Sequence, residues 1–159
     1  TTQKLNINYS KVVFLMINIG IIGAGRIGRV HGESISKFVP NAKVKAIADP
    51  FLNDSTIAWA NALGITETYT DYKKILADKD IQAVLICAST DMHSPLSIEA
   101  IQAGKHVFCE KPIDHDVNKI KEVLDVVNAS GLKYQVGFNR RFDHNFRAIK
   151  EAVASGKNW

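Results

Sequence analysis

From residue 17 almost to the end of the chain, short apolar runs alternate with stretches of helical periodicity. The runs predict strands near 17–22, 43–48, 83–87, 105–109 and 132–138. Between the first two, Ile27, Val30, Ser34, Ile35 and Phe38 recur at spacings of three and four, which predicts one face of a helix ended by Pro40 and Asn41. Further helices are predicted near 53–63, 71–78, 94–103, 116–129 and 143–154. Asp71 before Tyr72 and Ser94 before Pro95 read as N-caps, the second with proline at the first helical position. Gly64, Gly104 and Gly131 each follow a helical stretch, where a left-handed residue closes the last turn most easily. Strands alternating with helices imply crossover connections, and so a continuous α/β domain on a parallel sheet.

Composition narrows the picture. At 159 residues, 46% hydrophobic and 23% charged, the chain has material for one packed globular domain. Of the net charge of +4, Lys4 and Lys11 supply two from a tail without acids. Elsewhere bases and acids are interleaved, and the only dense positive cluster is Arg140, Arg141 and Arg147 with Lys150, so no nucleic-acid partner is expected. Cys87 and Cys109 lie in predicted strands at a spacing that suits neither a disulfide framework nor zinc, and free buried thiols suit a reducing, cytoplasmic setting. Val12 to Gly25 imitates a signal-peptide core, but Asn18 interrupts it and no small-residue cleavage site follows. It is also shorter than the ~20 apolar residues a membrane helix needs, so no membrane partner is expected. Met16 stands directly before the first strong strand. Residues 1–15 are therefore expected to be a leader or remnant and 16–156 the folded domain.

The first motif that carries chemistry is Gly23-Ala24-Gly25-Arg26-Ile27-Gly28, a G-x-G-x-x-G placed after a strand and opening a helix. In a Rossmann-type doubly wound sheet Gly23 would allow the tight turn, Gly25 the approach of a pyrophosphate, and Gly28 close packing of helix on strand. Arg26 and Ile27 start the helix, whose free N–H groups favour an anion. Asp49 ends the second strand 21 residues after Gly28, where a carboxylate accepts hydrogen bonds from ribose hydroxyls and repels a 2′-phosphate, favouring NAD over NADP. Methyltransferases also use a glycine loop and such an acid, so this pair leaves the chemistry open.

Two later segments add to it. Ala88-Ser89-Thr90-Asp91-Met92-His93 puts small and polar residues at a strand's carboxyl end, where open α/β sheets collect ligands. Lys105 to Cys109 leads into Glu110-Lys111-Pro112, and a lysine there can set one charge and three donors against a substrate hydroxyl and a nicotinamide ribose. Burial of that lysine would favour its neutral form, and the bond to Pro112 is a candidate for cis.

With Gly137-Phe138-Asn139-Arg140-Arg141-Phe142-Asp143 added, these motifs in this order resemble the Gfo/Idh/MocA oxidoreductases, and the last is most similar to the inositol 2-dehydrogenase branch. The resemblance runs from about Met16 to Gly156. It implies an NAD-dependent enzyme that oxidises a hydroxyl of a cyclic polyol or sugar, myo-inositol-like, to a ketone. By the same resemblance Lys111 touches substrate and nicotinamide ribose, Ser89, Thr90, His93 and Glu110 line the cofactor side, and Arg140 with Arg141 helps to close the cleft. For His93 the competing role is a helix cap; for the arginines it is pairing with surface acids. His31, His106 and His115 read as helix-face or strand-end residues, and His144 departs from the proline expected there, so none receives a catalytic role.

The family pairs this domain with a second α/β domain, which usually forms the oligomer interface and supplies an Asp and a His that work with the lysine. Ser155 to Trp159 departs from the family pattern at Asn158, so residues 157–159 are expected to be the cut start of a linker to that domain. Hydride transfer needs the alcohol carbon ~3–3.5 Å from the nicotinamide and a base on its hydroxyl. The chain is therefore expected to bind dinucleotide and to turn over sugar alcohols poorly, with an inactive NAD-binding fragment or sensor as the alternative. Loss of a partner domain would also bare apolar surface around Phe138, Phe142, Phe146 and Trp159.

Overall fold

A computed structural model describes residues 16–156. The expected leader 1–15 and linker 157–159, Trp159 included, lie outside the described residues. The order of elements is β1 (Ile17–Ile22), α1 (Arg26–Phe38), β2 (Ala42–Ala48), α2 (Asp54–Ala62), β3 (Glu67–Tyr69), α3 (Lys73–Ala77), β4 (Ala83–Ile86), α4 (Thr90–Gln102), β5 (His106–Cys109), α5 (Val117–Ser130) and β6 (Tyr134–Val136). A 3₁₀ turn (Asn139–Phe142) then leads into α6 (His144–Ala154). All strand pairings are parallel, in the order β3-β2-β1-β4-β5-β6. The order reverses between β1 and β4, and that switch point opens a crevice at the carboxyl ends of both strands.

Two cores cover the two faces of the sheet. Ile75, Leu96, Ala100 and Ile101 pack against Ile22, Val84, Ile86 and Val107 on one face. Ile35 and Ala60 pack against Ile19, Ile21, Ile47 and Leu85 on the other. This is the doubly wound α/β architecture that the alternation predicts, with a strand added at one edge. β3 has three half-buried residues, too short a run to register as a strand without its neighbour β2.

The buried face of α1 differs from the expected one. Gly28, Gly32 and Ile35 face the sheet, whereas Val30 and Phe38 are 52% and 78% exposed. Small residues allow close approach: a Cβ on Gly28 would collide with the Gly23 carbonyl oxygen, and one on Gly32 would come within 2.9 Å of Trp59. The closeness of the contact, and not the apolar stripe, selects the face.

The start of α4 also differs. It begins at Thr90 after Ser89, so Ser94 is no cap and Pro95 lies inside the helix. Burial explains this: His93, Ser94, Leu96 and Ser97 are all buried, and packing that turn outweighs the one hydrogen bond Pro95 cannot donate. Asp71 accepts from the Lys73 N–H at 2.9 Å, but the N-cap of α3 falls one residue later, at Tyr72, which makes no side-chain cap. Gly64, Gly104 and Gly131 take φ of 77°, 77° and 69° as expected.

Candidate functional site

The glycine loop occupies the crevice. Gly23 has φ 101°, and a Cβ there would come within 2.6 Å of the Cys87 main chain, so only glycine lets the loop pass this close to β4. Gly25 has no neighbour within 4 Å of its Cβ position, which leaves free space over the start of α1. Arg29, one turn on, braces the loop: its Nε donates to the Ala24 carbonyl at 3.2 Å, its Nη2 to Thr56 at 2.9 Å, and its guanidinium lies over Trp59.

Asp49 closes the loop from β2. Its Oδ2 accepts from the Ala24 N–H at 2.7 Å and its Oδ1 from the Phe51 N–H at 2.8 Å. The carboxylate thus fixes the loop and stays half-buried at the wall of a cleft of about 580 Å³. Gly23, Gly25, Asp49, Pro50, Phe51 and Ser89 are among the residues lining it.

Two long helices start at this cleft without a side-chain cap, α1 after Gly25 and α4 after Ser89, and the five-residue α3, flanked by Tyr72, has none either. Elsewhere Asn53, Asp116 and Asp143 cap α2, α5 and α6 with their side chains. The uncapped pair leaves N–H donors and the positive ends of two helix dipoles facing one cavity, an arrangement suited to a diphosphate. Arg26 and Ile27 open α1 and remain exposed, and Thr90, half-buried, opens α4.

A second, shallower cavity of about 340 Å³ is lined by Lys111, Phe138, Asn139, Arg140 and Arg141. Lys111 is exposed here, so the burial expected of it is absent among the described residues. The Lys111–Pro112 bond is cis. Arg140 pairs with Asp143 at 2.9 Å and stacks over Phe146, so one guanidinium both borders the cavity and braces the start of α6.

Two expected cofactor-lining residues are held differently. His93 is 2% exposed, with its ring nitrogens 2.7 Å from the Pro112 carbonyl oxygen and 2.9 Å from that of Ala88, and it is absent from the cleft wall. It neither caps the helix nor reaches the cavity; it ties together the two loops that do. Glu110 is engaged by His31 of α1, whose Nε2 lies 2.7 Å from its Oε1. His31, read as an ordinary helix-face residue, thus meets the Glu110-Lys111-Pro112 turn, and its position one turn after Gly28 is the signal that was available. Phe51, Thr70, Tyr72 and Met92 also line the cleft and were not singled out from the sequence. Phe51 stands two residues after the acid; Thr70 and Tyr72 follow the short strand β3.

Burial pushes the Cys87 thiol up to about 12, with Glu110 adding to the effect, so this thiol stays neutral behind the glycine loop. Both cysteines are free and buried, as expected. Among the described residues no group of three His, Cys, Asp or Glu side chains could hold a metal, and no helix is long and apolar enough to cross a membrane.

A family model described as an oxidoreductase family with an NAD-binding Rossmann fold matches residues 17–138. The chain is 45% identical over 139 residues to YrbE, an uncharacterised oxidoreductase of Bacillus subtilis (strain 168), covering 87% of this chain and 40% of that one. It is 39% identical over 140 residues to a myo-inositol 2-dehydrogenase of Thermotoga maritima, covering 88% and 41%. A crystal structure of scyllo-inositol dehydrogenase from Lactobacillus casei, with bound NAD(H) and scyllo-inositol, superposes with a TM-score of 0.81 at 36% identity, covering 89% of this chain and 42% of that one. The chain thus spans about 40% of the length of these relatives.

Proposed function

Because this chain belongs to the Gfo/Idh/MocA oxidoreductase family, with its NAD-binding Rossmann fold, we propose that it is the cofactor-binding part of an NAD-dependent dehydrogenase acting on a cyclic polyol or sugar. The observation that carries this reading is the convergence of two uncapped helix starts and the Asp49 carboxylate on one cleft. The cleft fits a dinucleotide: space stands open over Gly25, donors face it, and an acid stands at one wall. The main-chain N–H groups at the starts of α1 and α4 would hold the diphosphate, and Asp49 the adenosine ribose hydroxyls. Ser89 and Thr90 would border the path from there toward Lys111.

NAD, when bound, supplies the hydride acceptor. Lys111 would donate to the substrate hydroxyl and to the second ribose, orienting both, with Glu110 held back by His31 so that the ammonium faces the cavity. Arg140 and Arg141 would border the substrate side. The myo-inositol-like substrate is suggested by relatives whose names carry inositol 2-dehydrogenase. Among the described residues, Lys111 shares its open cavity with no Asp or His. We therefore expect the 159-residue chain to bind NAD with little polyol turnover by itself.

Calorimetric titration with NAD and then NADP tests this. NAD is expected to bind at least about tenfold tighter, a difference of ~1.4 kcal/mol. Absence of binding by either nucleotide would overturn the assignment of the cleft, and robust NADH formation from myo-inositol would overturn the expectation of low turnover.

A further inference from the structure

The ring of His93 meets main-chain carbonyls on both sides, Nδ1 at 2.7 Å from Pro112 and Nε2 at 2.9 Å from Ala88. A carbonyl oxygen only accepts, and a neutral imidazole has a single N–H. A neutral ring would therefore press one nitrogen lone pair against a carbonyl oxygen at buried contact distance. The doubly protonated ring donates to both.

The surroundings bear this out element by element. From β5 the Cys109 sulfur faces the ring, and from the end of β4 the neutral Cys87 thiol lies next to Ala88. From β6 the Tyr134 hydroxyl pairs with Ser97 of α4 at 3.0 Å, and the Ser97 hydroxyl donates to the His93 carbonyl at 2.6 Å. In the loop after β5, Glu110 is engaged by His31, Lys111 is exposed, and the Asp114 carboxylate accepts from the Asp116 N–H. The Asp114 carboxylate also lies 4.0 Å from the exposed Lys119 ammonium of α5. Burial pushes His93 down, but the Cys109 sulfur and the Pro112 and Ala88 carbonyls outweigh it and raise the ring to about 9.

We propose that His93 is a positioning residue: as a buried imidazolium it ties the main chain after β4 to the Lys111–Pro112 turn and so fixes where Lys111 stands against the cleft. The proposal deepens the reading of Lys111 given above and rests on it. Its sign with pH follows from the direction of the shift. The stability the clamp contributes is fully present below the ordinary histidine value near 6.5 and is lost as pH rises through about 9, when one of the two carbonyls loses its donor.

Long-range ¹H–¹⁵N correlation spectra of the labelled chain test it, with the His93 signals assigned by their loss in His93→Gln. At pH 7.5 both ring nitrogens are expected in the protonated range, and the Lys111 amide resonance is expected to titrate with the same midpoint as the ring. One unprotonated His93 nitrogen at pH 7.5, or a Lys111 amide that ignores the midpoint, would overturn the proposal. In His93→Gln, NAD affinity is expected to fall about tenfold while affinity for ADP, which does not reach Lys111, stays unchanged. An equal loss for both nucleotides would reduce His93 to a merely structural role and sink the positioning claim. Should the parent chain bind neither nucleotide, the proposed function fails, while the ring and amide titrations still decide the clamp.

Discussion

Asp49 holds the glycine loop and the cleft wall with one carboxylate, so its replacement acts on both. In Asp49→Ala the Ala24 and Phe51 N–H groups lose their acceptor. The variant is expected to bind NAD at least about tenfold more weakly and to lose its preference over NADP, read by calorimetry. Gly28→Ala tests the loop from the other side. The added methyl meets the Gly23 carbonyl, which is main chain and cannot swing aside, so the variant is expected to be destabilised by about 1–3 kcal/mol in urea unfolding. Both residues were legible in the sequence because their roles belong to the backbone: a glycine motif after a strand, an acid at the next strand's end. The partners of His93 and His31 were not legible, since each reaches a loop distant in the chain and no local spacing announces a contact across 19 or 79 positions.

At the scale of elements, capping divides the helices by purpose. Asp116 accepts from the Asn118 N–H at 2.8 Å at the start of α5, away from the cleft. Asp116→Ala is expected to cost about 1 kcal/mol in urea unfolding with NAD affinity unchanged. A matching loss of affinity would show that α5 is coupled to the cleft. Most elements were readable from periodicity, with boundaries shifted by a few residues. β3 escaped because three residues carry too little pattern, and the start of α4 was misplaced because Pro95 looks like a first-turn residue until the buried turn before it is seen. The face of α1 was misassigned because most of its apolar stripe, Val30 and Phe38 included, is left exposed, and Gly28 and Gly32 with Ile35 make the contact.

Across the whole molecule, a network of paired lysines and an apolar patch ringed by arginines stand at different places. At the amino ends of the strands Lys45 bonds Asp78 at 2.6 Å, while buried Lys105 donates to the carbonyls of Asp78 and Ile81. The hydrogen bond from Lys45 holds the Asp78 carboxyl below the usual carboxylate range. A lowered acid stabilises the fold above its unfolded value near 3.9 and loses that contribution as pH falls through the lower folded value. Asp78→Asn is therefore expected to flatten the acid limb of a thermal-unfolding profile below about pH 4. Elsewhere Phe138, Phe142 and Phe146 are 53%, 73% and 49% exposed, as the sequence led one to expect, and Ile149 and Val153 of α6 extend the patch. Concentration-dependent sedimentation, reduced in a Phe142→Ser/Phe146→Ser variant, is the expected outcome.

The sequence by itself determined the alternation of strands and helices, the glycine loop with its acid, the lysine after β5 and the family they resemble. These are local properties, written in backbone conformation, period and motif order. Only the tertiary structure decided which helix starts face the same cleft, that Lys111 stands exposed beside Arg140, and that His93 is spent on two carbonyls instead of the cavity. Such contacts arise where the reversal of strand order brings separate loops together, and packing, unlike local propensity, sets the distance between them.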